Sequence, residues 1–216
     1  MAQSNDHHRA TVFVVDDDPE VRESLQWLLQ SAGFEVMTFD SPQAFLDTYH
    51  EEMYGCVLLD LRMPEMDGLA LQRQLTARGI RLPVIILSAH VDVPTAVEAM
   101  RAGAVDVLQK PFEDQLLIDR INQALREDAS TREREDEHAE IVARVATLTP
   151  REREVLDRLV EGATSKAVAQ ALGISVRTAE VHRANVMRKM QARSLAELVT
   201  QVVRYRHIQD QSRKDS

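Results

Sequence analysis

Five short apolar runs, at 11–15, 34–38, 55–60, 83–87 and 105–109, alternate with segments of helical pattern that open near Pro19, Pro42, Gly68, Val93 and Glu113. Strand and helix in strict alternation predict a five-stranded, doubly wound parallel sheet of the flavodoxin-like α/β class, with helices on both faces. The third run is apolar throughout, as a strand covered on both faces should be. Gly33, Gly79 and Gly103 each follow a helical stretch, where a left-handed cap is wanted.

The strand ends carry the chemistry. The first run closes on Asp16, Asp17 and Asp18, the third on Asp60, and the fourth leads into Ser88; the fifth delivers Lys110. In an open parallel sheet the carboxyl ends of the strands form one edge, so these side chains are expected to converge. Clustered carboxylates repel one another unless a cation is shared, which predicts a hard-metal site. Carboxylates, a hydroxyl and an ammonium around Mg²⁺ are what phosphoryl chemistry on a carboxylate needs.

The chain has 216 residues, enough for two domains each with its own core. Its longest apolar runs are strand-sized, and residues 1–9 lack a signal-peptide core, so a cytoplasmic protein without a membrane association is expected. The single cysteine, Cys56, rules out an intrachain disulfide and a Cys-rich zinc site, and is read as a core residue. His7 and His8 lie in the N-terminal tail and the other histidines are scattered, which speaks against a histidine metal site.

The net charge of −9 is unevenly distributed. Residues 1–128 hold 10 basic and 22 acidic residues, a balance of −12; residues 129–148 hold 3 and 5, or −2; residues 149–216 hold 13 and 8, or +5. An acidic first domain repels polyanions, whereas a basic second one can release counterions from phosphate backbones, which points to duplex DNA.

Between the two halves, the highly charged stretch 126–147 contains no Gly or Pro and reads as a helical linker, with Ile141, Val142 and Val145 as an apolar seam near its end. Thr149, Pro150 and Glu152 then make a capping box that opens a second domain. Four short helices follow: 150 to about 161, about 165 to 172, 175 to about 190, and one opened by a second capping box at Ser194 and Glu197. Helix, short Gly-containing turn and helix form the helix-turn-helix signature.

The third of these helices divides by face. Ala179, His182 or Arg183, Val186 and Met190 form the inward stripe; Arg177, Glu180, Val181, Ala184 and Arg188 face outward. Small and polar residues flanked by arginines suit a helix in the major groove, where arginine pairs with guanine and small apolar groups meet the thymine methyl. Lys166, Arg177, Thr178, Glu180, Val181, His182, Ala184 and Arg188 are the candidate DNA contacts. His182 is read as a buttress or phosphate contact rather than a metal ligand.

The acidic cluster, DLRMPEMDG, the strand-end serine and KPFED give residues 10–125 the look of a response-regulator receiver domain. Residues 148–206 resemble the LuxR-type helix-turn-helix domain, and the run RTAEVHRANVMRKM at 177–190 brings the whole chain nearest the FixJ branch of the NarL/FixJ family. The resemblance implies that Asp60 is the phosphoacceptor, Ser88 the switch hydroxyl and Lys110 the lysine that pairs with the phosphoryl group. It further implies Mg²⁺ held by Asp17, Asp60 and the backbone carbonyl of Arg62, with Asp16 acting mostly through water and Asp18 no ligand. A cis Lys110-Pro111 bond, a phosphohistidine on a sensor kinase as donor, RNA polymerase as a further partner and a homodimer formed on phosphorylation complete what the family implies.

Two positions depart from the pattern or modulate it. Val107 stands where the family has a Phe or Tyr that rotates inward after the hydroxyl, so transmission is expected to rest on the loop from Ser88 to Val93 and the helix after it. His90 lies where the family tunes acyl-phosphate lifetime. Two other readings compete with a DNA-binding transcription regulator. A phosphatase of the haloacid-dehalogenase type would want Asp-x-Asp on one strand end, whereas Asp60 is followed by Leu61 and Arg62. A receiver used as a protein-binding scaffold would lack steeply salt-dependent DNA binding.

Overall fold

The computed structural model describes residues 10–212, with side chains as far as Arg206, so the tail at 1–9 lies outside the described residues. The elements run β1 (Thr11–Val15), α1 (Pro19–Ser31), β2 (Glu35–Phe39), α2 (Pro42–Thr48), β3 (Gly55–Asp60), α3 (Gly68–Ala77), β4 (Val84–Ser88), α4 (Val93–Arg101), β5 (Asp106–Gln109) and α5 (Asp114–Ala146). After these come α6 (Pro150–Val160), α7 (Ser165–Leu172), α8 (Val176–Lys189) and α9 (Leu195–Ser212). The chain divides into two units between Ser130 and Thr131.

In the first unit the strands pair in parallel in the order β2-β1-β3-β4-β5. Alternate residues of each strand feed opposite faces, as the pleat requires. Phe13, Val15, Val57, Leu59 and Ile86 pack with Phe45, Leu71 and Leu75 on one side. Val12, Val14, Leu58 and Ile85 pack with Leu29, Leu117 and Ile121 on the other. Cys56 belongs to this second face and is fully buried; burial, aided by the Asp128 carboxylate, pushes its thiol far above the ordinary range.

Local chemistry shifts some strand limits from those expected. Phe34 donates its amide to Leu29 at the end of α1 (3.0 Å), so β2 starts one residue later than the expected 34. Pro83 has no N–H for the ladder, although its carbonyl accepts from Val57 (2.8 Å); β4 begins at Val84 and takes in Ser88, which pairs with Gln109. The charged stretch read as a helical linker is helical and continues α5 without a break as far as Ala146. Near its end Ile141 is buried with Leu148 in the core of the second unit, and Val145 packs against it.

That core is built from Val155, Leu156 and Leu159 of α6, Val168 and Ala169 of α7, Ala179 and Val186 of α8, and Leu198 and Val202 of α9. The capping box that opens α6 is complete: Glu152 donates its amide to Thr149 Oγ1 (3.2 Å), and Thr149 donates its amide to Glu152 Oε2 (2.9 Å). The one expected at Ser194 is only half formed. Glu197 donates its amide to Ser194 Oγ (3.1 Å), but its carboxylate accepts from Arg193 N (2.8 Å) instead of Ser194 N, because it reaches one residue further back. Among the described residues no helix is long and apolar enough to cross a membrane.

Candidate functional site

Strand register assembles the first site. Val15 lies beside Leu59, Asp60 beside Leu87 and Ser88 beside Gln109, so Asp16, Asp60, Ser88 and Lys110 reach one edge of the sheet. Lys110 Nζ donates to Asp16 Oδ2 (2.8 Å) and Asp60 Oδ1 (2.6 Å), and the Lys110-Pro111 bond is cis. The remaining carboxylate oxygens are also held: Arg62 N donates to Asp60 Oδ2 (2.7 Å), and Asp18 N to Asp16 Oδ1 (2.9 Å).

Asp16 is buried whereas Asp17 is exposed. Burial raises the Asp60 carboxyl above its ordinary pKa range, against the opposing hydrogen bond and charge of Lys110. For Lys110 burial acts downward, yet its bonds to Asp16 and Asp60 outweigh it and leave the ammonium raised. Two carboxylates face one ammonium, so the cluster retains negative charge, which suits a hard cation. Among the described residues no three His, Cys, Asp or Glu side chains are grouped to hold a metal.

Ser88 is buried at the same edge, but its hydroxyl is engaged by its own loop. It donates to His90 O (2.8 Å) and accepts from His90 N (3.2 Å). Val107 is half-buried and packs against the core that contains Ile86 and Ala99.

Two residues named in the sequence only in passing have roles in building this site that sequence reasoning did not assign. Asp18 caps α1, accepting from Glu20 N (2.9 Å) and Val21 N (3.4 Å), and so fixes the helix that leaves the acidic cluster; an Asp before a proline at the first helical position was the signal. Gly68 opens α3 directly against the end of β3 that carries Asp60. A Cβ there would lie 2.4 Å from the Asp60 carbonyl oxygen and 3.1 Å from Leu61 Cα, closer than backbone atoms allow. The Asp67-Gly68 pair supplies both the cap of α3, through Asp67 Oδ1 and Ala70 N (2.6 Å), and the clearance beneath Asp60.

The second site lies on α8. Gly173, at φ 64°, turns the chain after α7, and Ser175 caps α8 by accepting from Thr178 N (3.0 Å). Ser175 and Thr178 also share a hydroxyl hydrogen bond of 2.8 Å. Ala179, Val186 and Met190 are buried, while Arg177, Thr178, Glu180, Val181, Ala184 and Arg188 are exposed. Lys166 on α7 is exposed as well. His182 is half-buried, and its Nδ1 has no hydrogen-bond partner among the described residues.

Sequence reasoning missed the role of Lys189. It donates to Glu152 Oε2 (2.7 Å) and Thr147 O (3.0 Å), tying the end of α8 to the start of α6. The Lys189 bond first, then the Thr149 amide, lowers the Glu152 carboxyl to about 2.

Residues 12–122 match the response regulator receiver domain, and residues 146–202 match the luxR family of bacterial regulatory proteins. The transcriptional regulatory protein FixJ of Bradyrhizobium diazoefficiens is 49% identical over 193 residues, covering 89% of this chain and 94% of FixJ. Among solved structures, the response regulator StyR shares 47% identity at a TM-score of 0.83, covering 91% of this chain and all of the StyR chain. Full-length FixJ from B. japonicum shares 48% identity at a TM-score of 0.59, covering 91% and 97%. The chain therefore belongs to the NarL/FixJ family of response regulators, a receiver domain followed by a luxR-type DNA-binding domain. Within that family it is a FixJ-like transcription regulator.

Proposed function

We propose that DNA binding by this regulator is controlled by transfer of a phosphoryl group from a phosphohistidine of a sensor kinase to Asp60. The observation that carries this reading is the single ammonium shared by Asp16 and Asp60 at the sheet edge. An Asp60 carboxylate oxygen attacks phosphorus in line as the phosphorus–nitrogen bond breaks, and the imidazole leaves with the electron pair and takes up a proton. Lys110 neutralises charge on the transferring group. Mg²⁺ would be held by Asp17, Asp60 and the carbonyl of Arg62, with Asp16 acting through water, and would supply further neutralisation of the phosphoryl oxygens.

The acyl phosphate adds roughly one to two negative charges. Ser88 meets them only by giving up His90, which draws on the loop that leads into α4. Val93, Val97 and Met100 of α4 and neighbouring Val105 are exposed, at 76%, 43%, 50% and 41%, an apolar face suited to a second copy of the chain. A dimer places two α8 helices on half-sites about 10 base pairs apart, and the linked sites bind more tightly than one. In this reading the dimer activates transcription through RNA polymerase.

Acetyl phosphate with Mg²⁺ tests the assignment. The wild-type protein is expected to be labelled and to shift from monomer to dimer on sedimentation, while Asp60→Asn stays unlabelled and monomeric. Labelling of Asp60→Asn at the wild-type rate would remove Asp60 from the mechanism.

A further inference from the structure

An acidic side chain sits in the middle of the exposed face of α8. Glu180 is exposed one turn beyond Arg177 and directly before Val181, which is 55% exposed. Elsewhere in the same unit, two carboxylates three residues from an arginine are paired with it: Glu154 with Arg151 at 2.5 Å and Glu161 with Arg158 at 3.3 Å. Glu180 has Arg177 three residues before it and Arg183 three after, yet its carboxylate makes no ion pair or hydrogen bond with any described residue. Its carboxylate remains available on the face that otherwise carries Arg177, Val181, Ala184 and Arg188.

On a helix that enters the major groove such a group has no use for phosphates, which repel it, so it weakens the sequence-independent part of binding. It is favourable only against a hydrogen-bond donor on a base edge. Two exocyclic amino groups provide one, N4 of cytosine and N6 of adenine. Adenine places the N7 acceptor beside its amino group, where it opposes a carboxylate, whereas cytosine presents N4 as donor without a neighbouring acceptor of its own. Residues in the N-terminal half of a recognition helix are those that reach base edges, and Glu180 is the fifth residue of α8.

We infer that Glu180 is a specificity-determining residue that selects cytosine at one position of each half-site. This rests on duplex DNA being the ligand of α8. Glu180 lowers affinity for DNA at large and raises discrimination among sequences.

Selection of the full-length protein against a randomised duplex library, with and without acetyl phosphate, tests the inference. The wild-type consensus is expected to contain a cytosine whose enrichment falls roughly 5- to 150-fold in Glu180→Ala, the equivalent of about 1–3 kcal/mol. The same variant is expected to bind random-sequence duplex more tightly than wild type. Glu180→Gln moves the preference at that position toward adenine, since the amide matches both N6 and N7. Because the side chain is exposed and unpaired, both variants are expected to keep the wild-type melting temperature. An unchanged consensus in both variants overturns the role of Glu180 while leaving DNA binding by α8 intact. Absence of duplex binding by the wild-type chain, phosphorylated or not, overturns both.

Discussion

The Ser88 hydroxyl is bound twice to the backbone of His90, as donor to its carbonyl and acceptor from its amide, rather than to Asp60. The Ser88 side chain is thus turned into the loop that follows β4, and any approach of its hydroxyl to the Asp60 carboxylate breaks both bonds. Since the loop continues into α4, whose cap Asp92 accepts from Thr95 N (2.8 Å), the hydroxyl and the helix are linked through only a few residues of backbone.

Ser88→Ala is expected to accept phosphate from acetyl phosphate but to lose the phosphorylation-dependent gain in dimerisation, by roughly 5- to 150-fold for a coupling of ordinary size. Labelling and sedimentation on the same sample separate the two effects. Full dimerisation of the labelled variant would assign the switch to another group.

Gly68→Ala forces a Cβ against the Asp60 carbonyl oxygen, where it would stand at 2.4 Å. Both the start of α3 and the Asp60 backbone must move. The expected cost is about 1–3 kcal/mol of receiver stability. Displacement of a reacting group by as much as 1 Å slows labelling by up to about 100-fold. Denaturant melts and labelling rates measure these separately, and a variant that labels at the wild-type rate would show that the site tolerates the shift.

Acid should weaken the second unit through Glu152. Its folded-state pKa is about 2 against an ordinary 4.5, so the stabilisation is fully present above about pH 4.5 and is lost as the pH falls toward 2. The shift corresponds to about 3 kcal/mol at most. Glu152→Gln should lower stability at neutral pH and flatten the dependence between pH 4.5 and 2, read from thermal melts followed by circular dichroism. Parallel curves for variant and wild type would mean that the Lys189 bond contributes nothing.

Much of this architecture was legible because it is written in local patterns. The alternation of apolar runs with capped helices reveals the sheet, and the run 12–15 followed by Asp16 already places a carboxylate at a strand end. The outward face of α8 could be read from periodicity alone, and Arg177, Val181 and Ala184 are exposed as expected. What escaped depended on atoms far apart in the chain. Lys189 reaches Glu152 across 37 residues, a pairing that no spacing rule predicts. The closeness of Gly68 to Asp60 comes from the path of the loop between β3 and α3, and the pairing of Ser88 with His90 from a turn whose geometry two residue names do not specify. Strand limits moved for a related reason, since Phe34 and Pro83 bond according to the neighbouring helix and strand.

Cys56 gives the receiver a built-in timer. The sole sulfhydryl of the chain lies at the heart of the parallel sheet, wholly shielded and held protonated, so an alkylating reagent in native buffer finds nothing to react with until the strands separate. The rate at which the intact regulator consumes such a reagent therefore reports how often its sheet opens, with no label engineered and no second thiol to confuse the signal.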